Sequence, residues 1–133
     1  MKENQVRPLL AAVACVWRND EVLVIRRAKP PIRWGMPGGH VERGEKMIEA
    51  AHRECLEETG VEAELLHFVG FNEVIREDAH FVIGCYAGRW LSGEPIAGDD
   101  AAAAMFIKPS QLMELDVVSE TAQLIEKARE LLR

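Results

Sequence analysis

Apolar and polar positions alternate along this chain in two different periods, and each change of period marks a change of element. Residues 8–17 (PLLAAVACVW) form an unbroken apolar run of strand length. Arg18-Asn19-Asp20 reads as a turn and Glu21 to Arg27 (EVLVIRR) as a second strand, so the two predict a β-hairpin. Lys29-Pro30-Pro31 marks a loop, because proline cannot donate to a strand ladder. Pro37-Gly38-Gly39 predicts a tight bend, with a short extended piece from His40 to Glu42. Good helix formers then fill 46–58, and Thr59-Gly60 is a stop signal. Within that helix Ile48, Ala51 and Cys55 form a narrow apolar seam. Residues 61–75 and 79–91 are two strand-rich segments with a turn at Arg76-Glu77-Asp78 between them. Ser92 to Asp100 is a loop, and Ala104 to Ile107 is a short strand. The period becomes helical again over Val117, Val118, Thr121, Leu124, Ile125, Ala128, Leu131 and Leu132, with Ser119 as N-cap. Strands flanked by a middle helix and a C-terminal helix predict an α/β sandwich with a mixed β-sheet.

Composition narrows the class. With 133 residues, 48% hydrophobic and 29% charged, the chain suits one soluble domain spanning 1–133. No apolar run reaches the ~20 residues that cross a bilayer, and Met1 to Gln5 lacks a signal-peptide stretch. A cytoplasmic protein without a membrane partner is expected. Cys15, Cys55 and Cys85 stand alone in apolar contexts, which argues against a disulfide framework or a zinc site and for small buried side chains. The formal net charge of −6 disfavours a broad nucleic-acid surface. An acidic protein can still bind a phosphorylated small molecule if a metal ion supplies the positive charge.

The chemistry concentrates between Gly39 and Val61 (GHVERGEKMIEAAHRECLEETGV). Glu54, Glu57 and Glu58 stand at i, i+3 and i+4, hence on one helix face, where like charges repel by roughly 0.2–0.5 kcal/mol per exposed pair. A hard divalent cation such as Mg²⁺ removes that repulsion and keeps positions for water and phosphate. The plain alternative is a solvated acidic face. The neighbours favour a site. Ala50 and Ala51 are small enough for backbone to approach, and Gly38 and Gly39 lack a Cβ that would block a ligand. Arg53 is placed to hold a carboxylate, and Glu45 suits the positive end of the helix dipole.

Taken together, Gly39, Glu45, Arg53, Glu54, Cys55, Glu57, Glu58, Gly60 and Val61 resemble the signature of the Nudix hydrolases, G-x5-E-x7-R-E-U-x-E-E-x-G-U with U a bulky apolar residue. Cys55 departs from it, standing where the family usually has an aliphatic residue. The approach Trp34-Gly35-Met36-Pro37-Gly38-Gly39-His40-Val41-Glu42 is similar to that family as well. The resemblance implies the Nudix-type α/β/α sandwich and attack of water at phosphorus in a nucleoside diphosphate derivative. By residue-by-residue match it implies Glu54, Glu57 and Glu58 as ligands of Mg²⁺ or Mn²⁺, with the Gly39 carbonyl as an extra ligand. Arg53 and Glu45 would orient those ligands, and Glu54 is an alternative base.

Outside the signature, Arg26 and Arg27 end the second strand, and strict alternation leaves one of them, Arg27, for a substrate phosphate. Trp34 reads as packing beneath the glycines, and His40, His52, His67 and His80 show no ligand spacing. Gly98 to Phe106 is similar to a stretch in which related proteins carry a distal glutamate, a metal ligand or base. This chain has only alanines at Ala101 to Ala104, leaving Asp99, Asp100 or Glu94 to take over. The entry motif and GDDAA segment are similar to the ADP-ribose pyrophosphatase-like branch, so an ADP-ribose-like nucleotide sugar is the favoured substrate. A nucleoside triphosphate pyrophosphohydrolase, a non-catalytic nucleotide sensor and an RNA-end hydrolase are the alternatives. Family resemblance also allows a homodimer.

Overall fold

In a computed structural model, residues 7–98 and 100–133 are described. They comprise β1 (Leu9–Arg18), β2 (Glu21–Arg27), β3 (Trp34–Gly35), β4 (Gly38–His40), α1 (Met47–Thr59), β5 (Glu62–Arg76), β6 (Ala79–Ser92), β7 (Ala101–Ile107), α2 (Pro109–Leu112) and α3 (Ser119–Leu131). The strands form one sheet in the order β3-β2-β1-β6-β5, with β4 added to β1 and β7 to β2. β1 and β6 run parallel and every other pairing is antiparallel. The sheet is therefore mixed, as expected.

Why β1 reads as a continuous apolar run is now plain: it is covered on both sides. Ala12, Ala14 and Val16 pack with Ala50, Ala51 and Cys55 of α1. Cys15 and Trp17 pack with Ile125 and Ala128 of α3. β2 repeats the division, with Leu23 on the α1 side and Val22 and Val24 on the α3 side. Helix, sheet, helix is the α/β/α sandwich. All three cysteines are free and buried.

α1 starts where the Lys46 N–H donates to the Glu49 carboxylate at 2.9 Å. It ends on Gly60, whose φ of 73° lies in the left-handed region that only glycine enters at no steric cost.

Several expectations are corrected. Gly38 and Gly39 lie in extended β4, paired with Val13 and Ala12, and the bend falls at Pro37. β7 begins at Ala101, three residues before the expected strand, because pairing with β2 recruits alanines that carry no strand signal of their own. Val118, not Ser119, is the N-cap of α3: its ψ of 140° is extended, whereas Ser119 is already helical. The single turn α2 follows Lys108 and begins with proline at its first position. Opposite Arg26 and Arg27 the ladder shifts register, with Ala102 of β7 as the extra residue.

Candidate active site

The site is built where α1 lies against β4. A Cβ on Gly38 would fall 2.3 Å from the Ala12 carbonyl oxygen, and one on Gly39 would fall 2.6 Å from the Glu54 carboxyl carbon. Glycine at these two positions lets the strand sit flat on β1 while the Glu54 carboxylate covers it. The Gly38 N–H donates to Glu58 Oε1 at 2.9 Å. Two successive glycines thus meet two carboxylates from successive turns of α1.

Glu58 is only 7% exposed. Burial is the main reason its carboxyl is pushed up to about 7; the Gly38 hydrogen bond opposes this, while the Glu54 and Asp100 charges add to it. A buried carboxylate with acidic neighbours is one whose charged form a bound cation would favour.

Arg53 organises the rest. Its Nε and one Nη grip both oxygens of Glu45, at 2.8 and 3.0 Å. The other Nη donates to Glu54 Oε1 at 2.7 Å and to Glu57 Oε2 at 3.2 Å, and stands 3.8 Å from Glu42. The His40 carbonyl, at the end of β4, accepts from Arg53 at 3.1 Å. Glu45 also accepts from the Glu42 N–H at 3.0 Å. Hydrogen bonding to Arg53 first, and to the Glu42 N–H second, holds the Glu45 carboxyl down at about 2. Arg53 itself is raised further above its ordinary range, chiefly by Glu45.

A second segment closes on the end of α1. The Ile96 N–H donates to the Thr59 carbonyl at 2.9 Å, and the Gly98 N–H to the Glu58 carbonyl at 2.7 Å. Gly98 has to be glycine, since a Cβ there would meet the Glu57 carbonyl oxygen at 2.3 Å. That anchoring brings Asp100 close enough for its charge to act on Glu58. The Ala28 N–H donates to the Asp100 carbonyl at 3.2 Å, and Arg27 pairs with Ala101. The exposed end of β2, where Arg27 sits, therefore borders the same segment.

Of the residues singled out from sequence, Arg53, Glu45, Glu54 and Glu57 are joined directly, and Glu58 is joined through β4. Arg27 stands at the margin, its side chain exposed at the end of β2. Glu94 is elsewhere, paired with Arg18 at 2.8 Å, and Asp99 lies outside the described residues. Sequence reasoning missed Glu42 and the His40 carbonyl as partners of the Arg53 and Glu45 pair. The i, i+3 spacing of Glu42 and Glu45 was the available signal.

Among the described residues no three His, Cys, Asp or Glu side chains converge in a metal-binding arrangement. Glu54 and Glu57 are both drawn to Arg53 instead. The donors are nonetheless carboxylate and carbonyl oxygens in negative excess, the set that a hard cation takes.

Helix, sheet and helix, with an acidic face of α1 held against two glycines of the sheet, is the arrangement of a Nudix-type hydrolase. The chain belongs to the Nudix family: the family profile described as NUDIX domain matches residues 8–128. A Bacillus subtilis protein provisionally named 8-oxo-dGTP diphosphatase is 32% identical over 105 residues, 77% of this chain and 67% of that one. An ADP-ribose pyrophosphatase of Methanocaldococcus jannaschii is 31% identical over 114 residues, 83% of this chain and 68% of that one. Among solved structures, the MutT Nudix hydrolase of Burkholderia pseudomallei superimposes with a TM-score of 0.78 at 25% identity, covering 92% of this chain and 98% of its own. Hydrolysis of a diphosphate bond is the general activity of this chain. No helix among the described residues is long and apolar enough to cross a membrane.

Proposed function

We propose that this chain is a cytoplasmic, Mg²⁺-dependent hydrolase, working as one domain, that cuts the diphosphate linkage of an ADP-ribose-like nucleotide sugar. The observation that carries this reading is the pair of carboxylates set against two glycines, with Glu58 buried beside Glu54. Glu54, Glu57 and Glu58, with the Gly39 carbonyl, would hold Mg²⁺ or Mn²⁺. When bound, the ion neutralises phosphate charge and makes water a better nucleophile. Arg53, gripped by Glu45, fixes the direction of Glu54 and Glu57. The Gly38 N–H fixes Glu58. Arg27 meets a substrate phosphate from the end of β2, on the side where Ile96 and Gly98 are bonded to the end of α1.

The sugar nucleotide is favoured by the methanogen relative, whose likeness extends over 83% of this chain. A nucleoside triphosphate pyrophosphohydrolase is the second reading, favoured by the Bacillus relative. Purified protein with Mg²⁺ and a panel of ADP-ribose, other nucleotide sugars, nucleoside triphosphates and their oxidised forms decides between them. AMP with a sugar phosphate is the expected product pair. Pyrophosphate with a nucleoside monophosphate as the dominant pair overturns the sugar-nucleotide assignment.

A further inference from the structure

Residues 22–41 contain four cations, Arg26, Arg27, Lys29 and Arg33, and no aspartate or glutamate, in a chain whose net charge is −6. The fold gathers these cations at one place. β2 ends at Arg27 and β3 begins at Trp34, and the Arg27 N–H donates to the Arg33 carbonyl at 2.9 Å, closing the loop between them. The Ala28 N–H donates to the Asp100 carbonyl at 3.2 Å. The basic loop therefore borders the segment that is bonded to the end of α1.

The surroundings do not neutralise this charge. Arg33 approaches Asp116 at 4.0 Å. The cross-strand neighbours of Arg26 are Trp34 and Ala103, and Arg27 faces Ala101. The alanines that stand where a carboxylate was expected thus leave both arginines without an acidic neighbour. Among the described residues no carboxylate pairs with Arg26, Arg27 or Lys29. Even with Asp116 and Asp100 both set against the four cations, two positive charges remain. Solubility does not call for them, since the surplus of carboxylates already supplies net charge.

Strand geometry divides the cations. Val24 of β2 packs on the α3 side and Leu23 on the α1 side, so alternation sets Arg27 toward α1 and Arg26 toward α3, beside Trp34. A diphosphate held on the acidic face of α1 is met by Arg27. It accounts neither for Arg26, on the other face, nor for Lys29, beyond the end of the strand. We propose that the substrate carries a further phosphate outside the scissile diphosphate, bound by Arg26 and Lys29; the inference rests on the nucleotide-sugar reading above. A phosphate monoester carries up to two negative charges, which matches the two cations left over. The guanidinium fork takes two of its oxygens, and the lysine adds a point charge.

The test compares ADP-ribose with ADP-ribose 2′-phosphate and ADP-ribose 1″-phosphate, on the full chain with Mg²⁺ at low ionic strength. The added phosphate lies on the adenosine half in the first and on the sugar half in the second. One of the two should exceed ADP-ribose in kcat/KM by about tenfold or more, the scale of one hydrogen bond between charged groups. Whichever it is names the half that carries the phosphate. The ratio should drop below about threefold in the double variant Arg26→Gln/Lys29→Gln, and should shrink as salt rises. Because both substrates meet the same molecules, loss of folded protein cancels from the ratio. Equal kcat/KM for all three overturns the proposal and leaves the nucleotide-sugar reading standing. A preference undiminished in the double variant overturns it too, since another group then reads the phosphate. Failure to cut any of the three overturns that reading and the proposal together.

Discussion

The two faces of the sheet are packed by opposite means. On the α1 face the helix meets β1 through small residues, Ala12 and Ala14 against Ala50, Ala51 and Cys55, with Val16, Leu23 and Val61 completing the cluster. On the α3 face, Trp17, Met36, Val69, Ile125 and Leu132 interlock as large side chains. Small residues bury little area each, at roughly 25 cal/mol per Å², but they bring helix backbone close to strand backbone. That closeness is what sets Glu54 over Gly39 and Glu58 against the Gly38 N–H. One face is packed for position and the other for burial.

The sharpest way to break the comparison is to remove charge from the α1 face while leaving its packing alone. Glu57 is exposed and makes one long contact with Arg53, so Glu57→Gln leaves the fold intact. If Glu57 is a metal ligand, the several kcal/mol that a bound ion contributes to the transition state are lost, a rate drop on the order of a thousandfold. Steady-state hydrolysis with Mg²⁺, beside an unchanged melting temperature without it, checks both halves. A fall of less than tenfold removes Glu57 from the ligand set.

The reverse experiment empties the α3 face. Ile125 is 2% exposed, and Ile125→Ala should cost roughly 2–5 kcal/mol of stability through lost burial and a cavity. Turnover per folded molecule should be unchanged. Urea unfolding measures the first and assay well below the midpoint the second. A large fall in turnover at full folding would show that the faces are not separable.

The same difference explains what could be read from sequence. The α3 face is legible because large apolar side chains repeat at helical spacing, and that spacing places α3 apart from its exact cap. The acidic face of α1 is legible because Arg53, Glu54, Glu57 and Glu58 sit close in sequence on one helix. What stayed hidden depends on contacts distant along the chain. Gly38 and Gly39 look like a turn until β1 is there to pair with them, and Ala101 to Ala103 look like anything until β2 is. The approach of Asp100 to Glu58 depends on Gly98 meeting the end of α1, forty residues on, which no local pattern records.

Two glutamates on the α1 face should respond to pH in opposite directions. The Glu58 carboxyl is raised to about 7 from an ordinary 4.5. Between those values the unfolded chain has released a proton that the folded chain retains, so metal-free stability falls as pH rises from about 4.5 to 7, then levels. Glu45 is lowered to about 2, so its stabilisation is complete above about 4.5 and is lost as pH falls toward 2. Glu58→Gln should therefore flatten the melting-temperature profile between pH 5 and 7 in the presence of chelator, and raise the melting point at pH 8 while impairing Mg²⁺-dependent activity. A profile that keeps its wild-type slope in Glu58→Gln assigns the titration to another group.

The smallest expected effect separates two carboxylates that sequence alone left as equals for the missing distal glutamate. Glu94 is exposed and paired with Arg18, which packs over the Phe106 and Trp90 rings at the end of β1 away from the glycines. Glu94→Gln should cost no more than about 1 kcal/mol of stability and leave hydrolysis unaltered. Asp100 acts on Glu58 through charge, from a segment that two backbone hydrogen bonds fasten to α1. Asp100→Asn should lower the Mg²⁺-dependent rate by roughly 10–100-fold, the range for groups that support metal ligands, with the deficit reduced at higher Mg²⁺. Parallel Mg²⁺ titrations of the two variants check the contrast. If Glu94→Gln is the slower enzyme, segment 93–100 must rearrange when substrate binds, because in this structure Glu94 is committed to Arg18.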